Sequence, residues 1–381
     1  MRVLAVLPGL NGQGGAEQSF VVTAPLLMAE GIGLELALLT DRRIKVPEVE
    51  AMGVRVHDLS GSRGVPGRAR ELARLVKGSR PDLVHATLFD AEVAASLAVL
   101  PTRTPLLVTW ATTTQTSASE GGVAPWKLKV VEAEQVAMGR IARTRYQAVT
   151  PGVGRSRGTA LRVPAARIRV AERGRDTARF AGVDPGRVEE VRAELGLAPT
   201  DRIVLVVARL EPAKGLERVL AAVDRLVEQV PEAVVLVAGR DGTAAGRLES
   251  QRRGLAHGDQ VRFLGHRDDV PVLLHAADCW LSTSHREGAA GGMLEAWASG
   301  CPVVIVPVDG IEGVAVDGRN ALVAAPEDVA GAVARVLGDP DLAASLAAAG
   351  REDFASRFTV ERSAERLAEV YRWAATRGRS G

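Results

Sequence analysis

Two glutamates eight positions apart, Glu287 and Glu295, bracket Gly288, Gly291 and Gly292. On one continuous helix that spacing is about 12 Å of rise with poorly matched faces. With Glu287 in a loop and Glu295 in the first or second turn of a following helix, both border one crevice. Carboxylates there accept hydrogen bonds from polyol hydroxyls. The glycines let backbone N–H groups come close, and a helix N-terminus favours an anion. Hydroxyl contacts at two points with a phosphate between them fit a nucleotide sugar. On spacing alone, two solvated glutamates on a strand–loop–helix remain an open alternative.

A second cluster lies upstream, in Ala208-Arg209-Leu210-Glu211-Pro212-Ala213-Lys214-Gly215-Leu216. Arg209 and Lys214 follow the uninterrupted apolar run Ile203–Val207 and precede a helix start. Two cations at the carboxyl end of a buried strand suit a diphosphate, the arginine as a fork and the lysine as a compact charge. The plain alternative is an ion pair of either cation with Glu211 or Glu217.

The elements that must position these residues are legible as apolar runs between turn signals. Cys279-Trp280-Leu281 and Pro302–Val306 read as buried strands on either side of a helix, Met293 to Ala298, that Gly300 stops. Further strands are expected at Val3–Leu7, Leu34–Leu39, Val54–Val56, Leu83–Val84, Leu106–Trp110, Tyr146–Val149, Ile168–Val170, Val234–Val237 and Val261–Leu264. Continuous apolar strands alternating with helices imply parallel sheets covered on both faces. Ligands of such sheets bind at the strands' carboxyl ends.

The stretch "EG…LEA…SGCPVV" around Glu287 and Glu295 resembles the Glu-x7-Glu signature of retaining glycosyltransferases of the GT-B fold, family 4, also known as glycosyl transferases group 1. "ARLEPAKG" resembles that family's "GRL-x-x-x-KG", Gly14-Gly15-Ala16-Glu17 its "GGAE", and "PDLVH", ending at His85, its segment of the same spelling. The resemblance covers nearly the whole chain and is strongest from Ile203 to Leu322. It implies an α/β fold of GT-B architecture, with two doubly wound Rossmann-like domains facing a central cleft. It also implies transfer of a sugar from a nucleoside-diphosphate sugar to an acceptor hydroxyl, with retention of configuration. By the same resemblance Arg209, Lys214 and Glu287 are the catalytic set. Gly14, Gly15, Gly288, Gly291, Gly292, Met293, Leu294 and Glu295 hold the donor, with Glu287 on its sugar and Glu295 on its ribose. His85 and Thr112 fall on the acceptor side, where the residues themselves leave a structural histidine and an ordinary loop threonine as alternatives. Relatives place a histidine near Ala111, and here there is none. Arg173 and Arg175 stand where relatives carry Asn-Gly-Val-Asp. Other GT-B chemistry, an epimerase or a phosphorylase, is the neighbouring alternative. A catalytically inactive sugar-nucleotide-binding subunit is the alternative from another class.

Length and composition set the frame. The 381 residues allow two domains, expected at 1–180, joined by a returning C-terminal helix 360–381, and at 181–359. No run approaches the roughly 18 apolar residues of a membrane span, and Met1–Pro8 reads as a first strand rather than a leader, so a cytoplasmic protein is expected. Residues 1–180 hold 25 Lys+Arg against 16 Asp+Glu, and the rest hold 23 against 30. The basic first half fits an anionic acceptor or a peripheral contact with the inner face of a membrane, including through a basic helix at Trp126–Arg145. An arginine-rich solvated surface is the equal alternative. With 3% aromatic residues and no binding motif, nucleic acid is not an expected partner. The acceptor, whether glycan, lipid or small natural product, is not specified. The Asp-x-Asp triplet Asp339-Pro340-Asp341 sits at a helix start, where N-capping accounts for it. Neither a metal nor a cofactor is therefore expected. Cys279 and Cys301 read as buried thiols.

Overall fold

The computed structural model describes residues 1–11, 15–112, 133, 135–137 and 144–376. It divides into two compact units, Met1–Gly174 with Val360–Gly381, and Arg175–Thr359. The first division falls at Gly174/Arg175 rather than at 180/181. Phe180 is buried among the second unit's apolar residues, and the Arg175 N–H donates to Phe358 O at 2.9 Å.

The first unit is a seven-stranded sheet of β1 (Arg2–Leu7), β2 (Gly33–Leu38), β3 (Arg55–Asp58), β4 (Leu83–Thr87), β5 (Leu106–Trp110), β6 (Thr144–Ala148) and β7 (Ile168–Val170). The order is β3-β2-β1-β4-β5-β6-β7, and every pairing is parallel. The chain builds outward from β1 to β3, then crosses back to place β4 on the other side of β1. The carboxyl ends of β1 and β4 therefore flank a switch point, where the helices on either side diverge and leave a crevice. The helix Gly15–Ala29 packs against the C-terminal helix Val360–Ala375. On that last helix Val370, Tyr371 and Ala374 are buried and Leu367 is partly so.

The basic helix expected at 126–145 lies mostly outside the described residues, including Lys127, Lys129, Arg140 and Arg143. Arg145 itself belongs to strand β6. There its side chain lies over the Trp373 ring, 4.8 Å from the centroid.

The second unit repeats the plan with six parallel strands: β8 (Arg202–Val207), β9 (Ala233–Ala238), β10 (Val261–Gly265), β11 (Cys279–Ser282), β12 (Val303–Ile305) and β13 (Leu322–Val323). The order is β10-β9-β8-β11-β12-β13, so the switch point lies between β8 and β11. Alternate residues feed two cores. Val204, Val206 and Leu281 face the helix Leu216–Gln229, which buries Leu216, Val219, Leu220, Val223, Leu226 and Val227. Ile203, Leu205 and Trp280 face the helix Gly291–Ser299, which buries Met293, Leu294, Ala296 and Trp297. Each large side chain so buried stabilises by about 1.5–3 kcal/mol relative to exposure. Cys279 belongs to the first of these cores and Cys301 to the second, so the sheet separates the two thiols. Burial raises the pKa of both. No helix among the described residues is long and apolar enough to cross a membrane.

Candidate functional site

Both predicted clusters of the second unit meet at its switch point. Arg209, Lys214 and the turn between them follow β8; Ser284, Glu287 and the start of the helix Gly291–Ser299 follow β11. The loops are locked together by backbone. Gly215, in the left-handed region at φ 61°, seats its Cα so close to Thr283 O that any Cβ would overlap it. Thr283 Oγ1 donates back to Gly215 O at 2.8 Å, and the His285 N–H donates to Ala213 O at 2.9 Å. Only glycine satisfies both the positive φ and the close approach.

On this frame Lys214 Nζ donates to Glu287 Oε1 at 2.7 Å, and Ser284 Oγ donates to the same oxygen at 2.7 Å. The pair is mostly buried, at 26% and 18% side-chain exposure. The ion pairs open to these cations at the sequence level are not formed. Glu211 instead accepts from Thr243 Oγ1 at 2.7 Å, and Glu217 pairs with His285 at 2.6 Å. Arg209 is exposed, and its guanidinium has no hydrogen bond or ion pair among the described residues. A loose cation and a clamped one therefore follow the same strand.

The helix that follows begins under strain. Ala290 adopts the left-handed region, φ 41° and ψ 51°, which a residue with a Cβ occupies at a cost and which recurs at functional turns. From that corner the N–H groups of Gly291 and Gly292 open the helix and donate to no protein acceptor among the described residues. A cavity of about 110 Å³ lies here, lined by Lys214, Ser282, Ser284, Glu287, Gly291 and Gly292. A lysine, two unsatisfied backbone donors and a positive helix end on one small cavity form an anion-binding surface. Gly288 lies in the same loop, and the Glu287–Gly288 backbone packs on Gly310.

Met293 and Leu294 depart from the expected set of donor contacts. Their side chains are buried in the core, and their N–H groups donate to Ala290 O at 2.9 and 3.3 Å. The apolar stripe of the helix takes these positions inward. Glu295, on the polar side, accepts from Arg175 Nε at 2.7 Å. Ser284 and Arg175 were not among the predicted site residues. The signals that mark them are the hydroxyl run Ser282-Thr283-Ser284 at a strand end and an arginine where relatives carry an apolar residue.

In the first unit, Gly14 lies outside the described residues. Gly15 is exposed at the start of its helix, and Thr112 is exposed at the end of the stretch after β5. His85 is nearly enclosed, lining a cavity of about 40 Å³ with Thr87, Thr109 and Arg173. It is 7% exposed and sits within a chain of hydrogen bonds whose direction is fixed by donor count. Gln147 Nε2 donates to Ala171 O at 2.8 Å, so Gln147 Oε1 is the acceptor for the Thr109 hydroxyl at 2.6 Å. With its proton spent there, Thr109 Oγ1 accepts from His85 Nε2–H at 2.6 Å. His85 Nδ1 is then bare and accepts from the Tyr371 hydroxyl at 2.8 Å. Burial, reinforced by the Arg173 charge, lowers the His85 pKa to about 3, so the ring is a neutral link. It ties β4 and β5 to the C-terminal helix.

Among the described residues no group of three or more His, Cys, Asp or Glu side chains is arranged to hold a metal ion. Asp339 of the Asp-x-Asp triplet caps a helix, accepting from the Leu342 N–H at 3.0 Å.

Known proteins align with this geometry. Residues 187–353 match the sequence model of the family Glycosyl transferases group 1. Glycogen synthase of Mycobacterium tuberculosis is 37% identical over 180 residues, 46% of this chain and 43% of the relative. The D-inositol 3-phosphate glycosyltransferase of Salinispora arenicola is 34% identical over 226 residues, 54% of this chain and 49% of the relative. The chain thus aligns with about half the length of these relatives. In structure, HepE from Anabaena in complex with UDP superposes with a TM-score of 0.82 at 21% identity, over 98% of this chain and 100% of that one. A glycosyltransferase from Rickettsia africae gives 0.82 at 19%, over 99% of each. This is the GT-B fold. Within it, the matched segment 187–353 contains Arg209, Lys214, Glu287 and Glu295.

Proposed function

We propose that the protein is a glycosyltransferase that moves a sugar from a nucleoside-diphosphate sugar to an acceptor hydroxyl, with retention of configuration, as a member of family 4. The observation that carries this reading is the cation pair at the switch point. Lys214 is clamped by Glu287, Arg209 follows the same strand, and the open N–H groups of Gly291 and Gly292 lie on the cavity that Lys214 lines. The names of the relatives support the same chemistry.

In this reaction the bond between the sugar's anomeric carbon and the diphosphate oxygen breaks, the carbon gains oxocarbenium character, and negative charge grows on the leaving oxygen. Lys214 and the helix N-terminus at Gly291-Gly292 meet that charge with donors already in place, which is where preorganised electrostatics act most strongly, and Arg209 adds a cation that the anion itself orders. Glu287 orients the sugar through its hydroxyls, and Glu295 takes a ribose hydroxyl. The acceptor oxygen bonds to the anomeric carbon on the face the diphosphate leaves, and its proton passes to a leaving phosphate oxygen. The protein cations supply the charge that a divalent metal supplies elsewhere, so turnover is expected without one. The reaction belongs in the cytoplasm. The basic first unit suits an anionic acceptor or an anionic membrane face.

The test is a panel of UDP-, ADP- and GDP-sugars with and without chelator, reading nucleoside diphosphate release and the anomeric configuration of any product. Release in chelator with a retained anomer is the expected result. Turnover that requires a divalent ion overturns metal independence. Absence of binding and release across the panel overturns the reading of the site.

A further inference from the structure

Arg175 and Glu295 form a contact that the proposed reaction does not use. Arg175 Nε donates to Glu295 Oε1 at 2.7 Å, and each side chain is 23% exposed. The same guanidinium rests against Gly291, where any Cβ would overlap its terminal nitrogen. Gly291 opens the helix and Glu295 lies one turn further on. The first turn of one helix therefore gives a single guanidinium both a seat and a carboxylate clamp.

The backbone behind the guanidinium is fixed on both sides. The Arg175 N–H donates to Phe358 O at 2.9 Å. The next residue, Asp176, caps the helix Thr177–Ala181 by accepting from the Ala178 N–H at 2.9 Å. An arginine anchored in this way restrains the carboxylate it holds. Glu295 Oε1 is engaged, while Oε2 has no hydrogen bond among the described residues.

We propose that Arg175 is a positioning residue for nucleoside recognition. By holding Glu295 Oε1 it fixes the carboxylate so that Oε2 faces a ribose hydroxyl of the donor. This rests on the reading of Glu295 as the ribose contact. A free glutamate gives up rotamer freedom when it binds a hydroxyl, whereas one already held has lost that freedom beforehand, so more of the contact appears as affinity. The rival role for the guanidinium is direct contact with phosphate at the helix N-terminus. The two roles differ in what they discriminate. Positioning acts on the ribose hydroxyls; a phosphate contact acts equally on any nucleoside diphosphate.

The experiment measures dissociation constants by calorimetry for UDP and 2′,3′-dideoxy-UDP, and for the matching ADP pair, with wild type, Arg175→Ala, Arg175→Lys and Gly291→Ala. Wild type should prefer the hydroxylated nucleotide by about tenfold, the scale of one good hydrogen bond to a charged group. Arg175→Ala should cut that preference to about twofold. Gly291→Ala should do the same with the arginine still present, because its Cβ evicts the guanidinium, and Arg175→Lys should fall between. These variants also give independent readouts should one of them fail to fold. If both nucleotides weaken in parallel and the preference survives, Arg175 acts on phosphate and the proposal is overturned. Unchanged constants overturn it as well. A wild type that binds UDP and ADP but ignores the ribose hydroxyls refutes the role of Glu295. A wild type that binds neither refutes the donor site itself, before any variant is compared.

Discussion

Lys214 donates to Glu287 across 2.7 Å, joining the loop after β8 to the loop after β11 at the switch point of the second sheet. The cation assigned to the leaving diphosphate and the carboxylate assigned to the sugar are thus one unit, and Ser284 braces their shared oxygen. Each holds the other's rotamer, so each role depends on the partner being present. Arg209 has no such brace. Whatever anion it meets must order it.

The coupling is measurable. Lys214→Ala should lower kcat by roughly 10²–10³, the scale of one lost charge-stabilising donor. Glu287→Ala should approach it, because it releases the lysine as well as the sugar. The double variant should lose much less than the product of the singles, since contacting residues are not additive. Arg209→Ala, outside the pair, should combine more nearly multiplicatively with Glu287→Ala. Donor hydrolysis rates for the five variants decide this. Full multiplicativity of Lys214 and Glu287 means that the pair does not act as a unit.

The two parallel sheets follow from features legible in the sequence. Runs such as Ile203–Val207 and Val234–Val237 are apolar throughout because both faces of a parallel sheet are covered. The helices between them carry the 3.6-residue period. The placement of Arg209, Lys214 and Glu287 in loops after strands, and of Glu295 in the helix that follows, is equally legible, because turn glycines and the end of each apolar run mark those positions. What the sequence did not disclose is partnership. Lys214 and Glu287 are 73 residues apart, Arg175 and Glu295 are 120 apart, and His85 and Tyr371 are 286 apart. Such pairs are decided by crossover topology, which brings β11 beside β8 and returns the C-terminal helix to the first sheet. Met293 and Leu294 illustrate a related point. Their place in the motif says that they lie near the donor, while helix phase decides that they point into the core.

Gly215 should be intolerant of any side chain. Gly215→Ala forces a Cβ into Thr283 O at a positive φ, which should destabilise by about 1–3 kcal/mol and separate the two loops. The signature is a lower Tm together with loss of nucleotide binding. The control is Gly246→Ala, where a Cβ meets nothing within 4 Å and the helix interior gains from alanine. Equal effects at the two positions refute the interlock.

The neutral histidine gives the last prediction, and it is one of pH. His85 has a pKa of about 3 in the folded protein, lowered chiefly by burial, against 6.5 for an ordinary histidine. Between those values the unfolded chain binds a proton that the folded chain does not. Stability is therefore fully present above about pH 6.5 and is lost as pH falls toward 3, at up to about 1.4 kcal/mol per pH unit. Protonation also breaks the order of the chain, because Nδ1 as a donor faces a tyrosine hydroxyl that burial keeps protonated. That hydroxyl must then turn its own proton elsewhere. The window between about pH 5 and 6.5 lies above the ordinary range of carboxylates, and comparison with a His85 variant separates this histidine from the other five. Urea midpoints across that window, followed by hydrogen exchange at the β4 and β5 amides, should fall with pH in the wild type. In His85→Gln, which keeps polar atoms but no titrating ring at this position, they should fall less steeply, though from a lower value at pH 8. If wild type and variant have parallel pH profiles, His85 is not neutral in the folded state, and the assigned direction of the Tyr371–His85–Thr109–Gln147 chain is wrong.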